Sequence, residues 1–145
     1  MVICKGGENA FSNSITDGTH ELLSDLPLEK GGKNAGFLPF TLMEAAMAGC
    51  INITLRVYAE NRGIKLQDVV VKVSMNTDDP KKTSWTEEVQ LVGDLTEKER
   101  TALMRVAAQC PVKKVLDSEF SFHVEEVGSE MTLEPDKSAK KAHTR

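Results

Sequence analysis

The fold is decided by one apolar stretch, Leu42-Met43-Glu44-Ala45-Ala46-Met47-Ala48-Gly49-Cys50-Ile51-Asn52-Ile53. Apolar side chains lie nearly all round a helical projection of this stretch, which is typical of a helix buried on most of its sides. Farther along, Arg56 and Glu60 give the second half a polar face. Gly63 can adopt the left-handed conformation that often ends a helix. The sequence therefore predicts one long, central helix over about 41–62.

Two alternating patterns after this helix predict a pair of strands. The first has one strongly buried face, made of Val69, Val71, Val73 and Met75, and the second is suggested by Trp85, Glu87, Val89 and Leu91. The turn-forming run Asp78-Asp79-Pro80 separates them. Before the helix, Asp17-Gly18 predicts the turn of a hairpin within about 8–22.

A second helix and a last strand complete the expected order. Thr96 and Glu99 form a capping box, which starts a helix. Residues at spacings of three and four place an apolar face on this helix: Leu103, Val106, Ala107 and Cys110. Pro111 then ends the helix or begins a new turn, and the alternation of 120–124 predicts a strand. This order predicts an α+β fold with antiparallel sheet packed on the long central helix.

Length and charge restrict the classes of protein. A chain of 145 residues is the size of one domain. We expect that domain over 1–135, followed by a basic, disordered tail over 136–145. The net charge of −4 gives no reason to expect a nucleic-acid partner. The sequence has no run of about 18 apolar residues, so a membrane span is not expected. The first residues lack the pattern of a secretory signal, and a cytoplasmic location is therefore expected.

Cys50 and Cys110 are the candidate chemical groups. Each is expected on the core-facing side of its own helix, so both could face one cavity, and a pair of such thiols favours redox chemistry. The alternative is that each fills a small space in the core, because free cysteine is among the most buried residue types. His20, His123 and His143 are scattered and adjoin no cysteine, so neither a metal nor another cofactor is expected.

Several ordered motifs resemble the OsmC/Ohr family of osmotically inducible and organic hydroperoxide resistance proteins. They are Gly31-Gly32 with Gly36 and Pro39, Leu42-Met43, Ala45-Ala46-Met47-Ala48-Gly49-Cys50, Gly93-Asp94-Leu95-Thr96, and Ala107-Ala108-Gln109-Cys110-Pro111-Val112. The resemblance runs from about residue 18 to residue 127. It implies an OsmC-like fold in which two chains form an intertwined homodimer with the long helix at its centre and each active site at the interface.

The resemblance also implies an activity. Cys50 would attack an organic hydroperoxide and become a sulfenic acid, and Cys110 would condense with it to a disulfide. A dithiol reductant, lipoyl-bearing in better-known members of the family, would restore the thiols. Cys4 is given no role.

Two charged residues of the peroxidase members are missing. Their glutamate follows the proline that opens the long helix, where this chain has Phe40 and Thr41, and no arginine precedes Arg56. Glu44 lies on the same helix as Cys50 but about 240° around it. A second interpretation therefore stands beside the peroxidase: a non-enzymatic OsmC-like dimer that binds a small apolar or thiol-bearing ligand in its interface pocket.

Overall fold

The computed structural model describes residues 1–79, 81–128 and Met131. The described residues form two compact units, one from Met1–Pro39 with the described residues from Phe122 on, and the other from Phe40–Ser121. The single domain expected over 1–135 remains a prediction. The expected basic tail over 136–145 lies outside the described residues.

The first unit contains a three-stranded antiparallel sheet. Its strands are β1 (Ile3–Gly6), β2 (Asn13–Thr16) and β3 (Glu21–Ser24), in that order across the sheet. The predicted hairpin turn lies between β2 and β3, where the Asp17 carboxylate accepts the N–H groups of Thr19 and His20. The strand β1 pairs antiparallel with β2 and so extends the hairpin to three strands.

The glycine-rich segment after β3 is a tightly packed loop. The buried carboxylate of Asp25 accepts N–H groups from Leu26, Lys33 and Ala35, which fixes the loop from both sides. A side chain at Gly36 would place its Cβ 2.3 Å from the Leu23 carbonyl oxygen. The glycine at this position is therefore explained by the close approach of two backbone segments.

The second unit is built around α1 (Pro39–Arg62), which confirms the predicted long helix. Gly63 follows it with a φ of 63°, as expected for a left-handed cap. One stripe of the helix is buried, with members four residues apart: Met47, Ile51, Leu55 and Ala59. The prediction that the first half is buried on most sides is not met within one chain, since Met43 is 39% exposed and Ile53 is 65% exposed, and Val57 in the second half is 50% exposed.

Two long strands pack on this stripe. They are β4 (Leu66–Asn76) and β5 (Ser84–Gly93), paired antiparallel as predicted, and their inward side chains join the core of Met47, Ile51 and Leu55. Polar groups of α1 also hold β4. The Asn52 amide donates to the Val69 carbonyl at 2.7 Å.

The segment after β5 contains two helices, α2 (Glu97–Ala107) and α3 (Pro111–Leu116). The capping box predicted for Thr96 and Glu99 is present at the start of α2. The expectation that Cys110 belongs to this helix is wrong, because α2 ends at Ala107. Cys110 is instead the N-cap of α3, and Pro111 takes the first helical position, where its missing N–H has no cost.

The strand predicted over 120–124 is also not formed. Neither a strand nor a β-bridge occurs in 119–127, and Phe122 and Val124 are 85% and 96% exposed. An alternating pattern shows which face a strand would bury, but it does not by itself form the backbone pairing that defines a strand.

The helix α1 also meets a length and composition criterion for a membrane span. It has 24 residues, and its most apolar window has a mean hydropathy of 1.2. Because the core helix of a soluble protein can meet the same criterion, one such helix is weak support for a span.

Candidate active site

The structure brings Cys50 and Cys110 together in the second unit. Cys110 is fully buried in the core, whereas Cys50 is half-buried on α1 and packs against the same core. The two thiol groups interact with each other. Both are free thiols. The more accessible sulfur therefore belongs to Cys50, and the sheltered one belongs to Cys110.

The pKa of the Cys110 thiol is raised above its ordinary value. Burial is the largest cause, because a thiolate loses hydration in the core, and the interaction with the Cys50 thiol raises it further. Opposing these effects, the backbone N–H groups of Lys113 and Val112 interact with the sulfur and favour its charged form. Burial prevails, so Cys110 remains a neutral thiol to a higher pH than an exposed cysteine.

A cavity of about 490 Å³ has two lining residues that are each three positions from a cysteine in the sequence. Met47, three residues before Cys50, lines it, and so does Lys113, three residues after Cys110. The other lining residues are Thr83, Trp85, Glu87, Leu116 and Asp117. All of them come from the second unit of one chain, so this cavity exists without a partner subunit.

Two of the lining residues form an ion pair. The Lys113 ammonium donates to the Glu87 carboxylate at 2.6 Å, with 32% of the lysine and 19% of the glutamate side chain exposed. Sequence reasoning missed this pair as a candidate for function. A signal was present, because Glu87 occupies the inward register of β5 between Trp85 and Val89, where apolar residues are expected.

The other sequence candidates lie elsewhere. Cys4 is exposed on β1, and the His20 side chain is 82% exposed beside Asp17. His123 is exposed, and His143 lies outside the described residues. No three His, Cys, Asp or Glu side chains among residues 1–79, 81–128 and 131 are grouped so that they could hold a metal ion.

The charged residues of α1 have structural partners. Glu44 accepts the backbone N–H of Met75 at 2.8 Å and so holds the end of β4. Arg56 binds Asp68 through Nη2 and Asn52 through Nε. Neither side chain is therefore a ready substitute for the glutamate and arginine that this sequence lacks.

Comparison with known proteins identifies the family. The model of the family described as OsmC-like protein matches residues 31–125, which is more than half of the chain. The protein therefore belongs to the OsmC-like family. No curated protein matches the sequence.

Solved structures agree with this assignment. An organic hydroperoxide resistance protein OsmC from Legionella pneumophila is 27% identical, with a TM-score of 0.60 over 81% of this chain and 88% of that one. OhrB of Bacillus subtilis, also an organic hydroperoxide resistance protein, is 25% identical, with a TM-score of 0.57 over 81% and 89%. An OsmC-like protein from Mycoplasma pneumoniae shares the fold, with 16% identity and a TM-score of 0.67 over 80% and 85%.

Proposed function

We propose that the protein is a thiol-dependent redox protein that reduces organic hydroperoxides through Cys50 and Cys110. One observation carries this proposal: a half-buried and a fully buried thiol, sixty positions apart in the chain, interact in one core. Family membership and the similarity to two organic hydroperoxide resistance proteins support the choice of substrate class.

The proposed reaction begins at Cys50, the more accessible sulfur. Its thiolate attacks one oxygen of the hydroperoxide, the O–O bond breaks, and the alkoxide leaves and takes up a proton as the alcohol. The sulfur is oxidised to a sulfenic acid, and the peroxide is reduced by two electrons.

Cys110 completes the cycle. Its thiolate attacks the Cys50 sulfur, an S–S bond forms, and the sulfenic oxygen leaves as water after protonation. A dithiol reductant, such as a lipoyl group, then exchanges with the disulfide and returns both thiols. Because Cys110 is buried and its pKa is raised, it stays neutral until this step, which protects it from direct oxidation.

We also infer that the working form is a homodimer. The support is the apolar side of α1 that one chain leaves uncovered, where Ile53 and Val57 are half-exposed or more. Exposed apolar patches of this kind mark protein interfaces. An obligate homodimer that uses this face would bury about 2,000 Å² or more in total. We place the dimer in the cytoplasm, where thiols are kept reduced.

A second function is favoured by one feature of the sequence. The chain lacks the arginine and glutamate that accompany the peroxidatic cysteine in the resembling peroxidases, since no arginine precedes Arg56 and Phe40-Thr41 replaces the acidic position. The alternative is a dimer that binds a small apolar or thiol-bearing ligand without turning it over.

Consumption of an organic hydroperoxide separates these functions. The pure, reduced protein is mixed with cumene hydroperoxide and dihydrolipoamide, and the remaining peroxide is measured with time. The peroxidase predicts many turnovers per chain, and the ligand-binding protein predicts none above the rate of the dithiol alone.

A further inference from the structure

The helix α3, which follows Cys110 directly, is joined to the strand β5 by the ion pair of Lys113 with Glu87. We propose that this pair holds Cys110 where its sulfur can meet the sulfur of Cys50, and that it thereby favours the disulfide between them. Lys113 and Glu87 are then positioning residues, since neither reacts. The inference rests on the proposed function for its place in peroxide reduction.

The position of Cys110 depends on a short helix. The helix α3 has six residues, fewer than an isolated helix needs for stability, and none of Pro111–Leu116 is buried. The Cys110 backbone is bonded on both sides: its N–H donates to the Ala107 carbonyl at 3.4 Å, and its carbonyl accepts the Lys114 N–H at 3.2 Å. Contacts outside the helix must therefore hold α3, and Cys110 moves with it.

The ion pair is suited to hold this helix. Val112 and Leu116 pack against the core, and Lys113 adds a bond of 2.6 Å from its ammonium to the Glu87 carboxylate. Glu87 is fixed because it lies inside the paired part of β5, opposite Val73 of β4. Both charged groups are partly sheltered from water, so their attraction is screened less than that of an exposed pair.

Lys113 also lies against the sulfur that it positions. Its backbone N–H interacts with the Cys110 sulfur, while its side chain binds Glu87. Holding two reacting groups in one geometry raises their effective concentration. Without the ion pair, α3 would move more freely, and the sulfurs of Cys50 and Cys110 would face each other in a smaller fraction of molecules. The equilibrium constant for the disulfide would fall by the same factor.

Thiol–disulfide exchange measures this constant without a peroxide. The protein is equilibrated with mixtures of oxidised and reduced dithiothreitol, then alkylated and analysed by mass spectrometry. Cys50 and Cys110 lose two electrons and two protons as their S–S bond forms, and the cyclic disulfide of oxidised dithiothreitol gains them and becomes the dithiol. All proteins carry Cys4→Ser, which removes the exposed third thiol.

Loss of the ion pair should weaken the disulfide. Lys113→Met and Glu87→Gln should each lower the equilibrium constant about fivefold. The double variant should match either single variant, because each already breaks the same bond. Lys113→Arg should keep most of the native constant, since a guanidinium also binds a carboxylate. Glu87→Gln keeps the shape of the side chain, so the test stands even if Lys113→Met does not fold.

A neighbouring ion pair provides the matched control. Lys72 binds Glu88 at 3.0 Å, but these side chains are 69% and 63% exposed, against 32% and 19% for Lys113 and Glu87. Glu88 is the next residue of β5 and lies on its exposed side. Lys72→Met and Glu88→Gln remove the same charges and should leave the disulfide constant unchanged. Circular dichroism checks the folding of every variant.

Three results would overturn the inference: a native constant in the folded Lys113→Met or Glu87→Gln protein, an equal fall in the control variants, or no Cys50–Cys110 disulfide at any dithiothreitol ratio. The exchange contains no hydroperoxide, so its outcome is independent of turnover. A weakened disulfide in variants of a protein that consumes no hydroperoxide would remove the peroxidase proposal and keep the positioning role. Turnover with unchanged constants would do the reverse.

Discussion

The thiol of Cys50, in the middle of α1, interacts with the thiol of Cys110, at the N-cap of α3. The first of these thiols is half-buried, and the second is fully buried. In a thiol peroxidase the first can meet the substrate, and the second can wait for the sulfenic acid.

Substitution of each cysteine should have a different effect on turnover. Cys50→Ser should abolish hydroperoxide consumption, because a serine hydroxyl does not replace the thiolate nucleophile. Cys110→Ser should allow one oxidation per chain and stop at the Cys50 sulfenic acid, because the thiol that condenses with it is missing. The trapped acid is detected as a dimedone adduct by mass spectrometry.

Cys4→Ser is the matched control for these two variants, since Cys4 is an exposed thiol on β1. It should turn over hydroperoxide at the native rate. Multiple turnovers by the Cys50→Ser protein would assign the nucleophile to another group.

The raised pKa of Cys110 predicts a loss of stability in alkaline solution. Below the ordinary thiol value of 9.0, the folded and unfolded chains both carry the proton, and the contribution is fully present. Above it, the unfolded thiol ionises first, so the free energy of unfolding falls until the folded thiol also ionises. Urea titrations of the reduced protein at about pH 7 to about pH 10 measure this fall.

The comparison variant is Cys110→Ala, which removes the titrating group from the same position. Its free energy of unfolding should fall less over the alkaline range than that of the native protein. An equal fall in both proteins would assign the alkaline loss to other groups.

The exposed apolar side of α1 predicts how the proposed homodimer can be broken. Ile53→Arg places a charge on this face and should give a monomer, because an unpaired charge buried at an interface is costly. Thr101→Arg adds the same charge at an exposed polar site of a different helix, α2, and should leave the dimer intact. Light scattering gives the mass of each. A native monomer at micromolar concentration, with cooperative unfolding, would contradict the homodimer.

The close backbone approach at Gly36 predicts a cost for any side chain there. Gly36→Ala would place Cβ 2.3 Å from the Leu23 carbonyl oxygen, so we expect a loss of about 1–3 kcal/mol. Gly6→Ala has no atom within 4 Å of the new Cβ and should be near neutral. Urea unfolding compares the two, and equal stability would show that the loop near Asp25 moves aside at no cost.

Local signals made several elements predictable from sequence. The long helix and its cap at Gly63 were predictable because both signals are local in sequence: the apolar periodicity of the helix, and a glycine that can adopt the left-handed conformation at its end. The capping box of Thr96 and Glu99 spans three positions. The pairing of β4 with β5 followed from two alternating patterns around one turn.

The remaining features depend on the tertiary structure. Cys110 continued the apolar spacing of α2, but the helix ends at Ala107, and spacing alone could not show that. The alternation over 120–124 could not show by itself whether a strand forms there. The partnership of Glu87 with Lys113 joins β5 to α3 across 26 positions, so only the inward register of Glu87 indicated that a cation would be needed.

The formation of a Cys50–Cys110 disulfide during turnover tests the central proposal most directly. Reduced protein is treated with one equivalent of cumene hydroperoxide, alkylated, digested without reduction and analysed by mass spectrometry. We predict a peptide pair joined through Cys50 and Cys110, with Cys4 alkylated and one molecule of cumyl alcohol formed per chain. Recovery of both cysteines as alkylated thiols, with the hydroperoxide unconsumed, would contradict the two-cysteine mechanism.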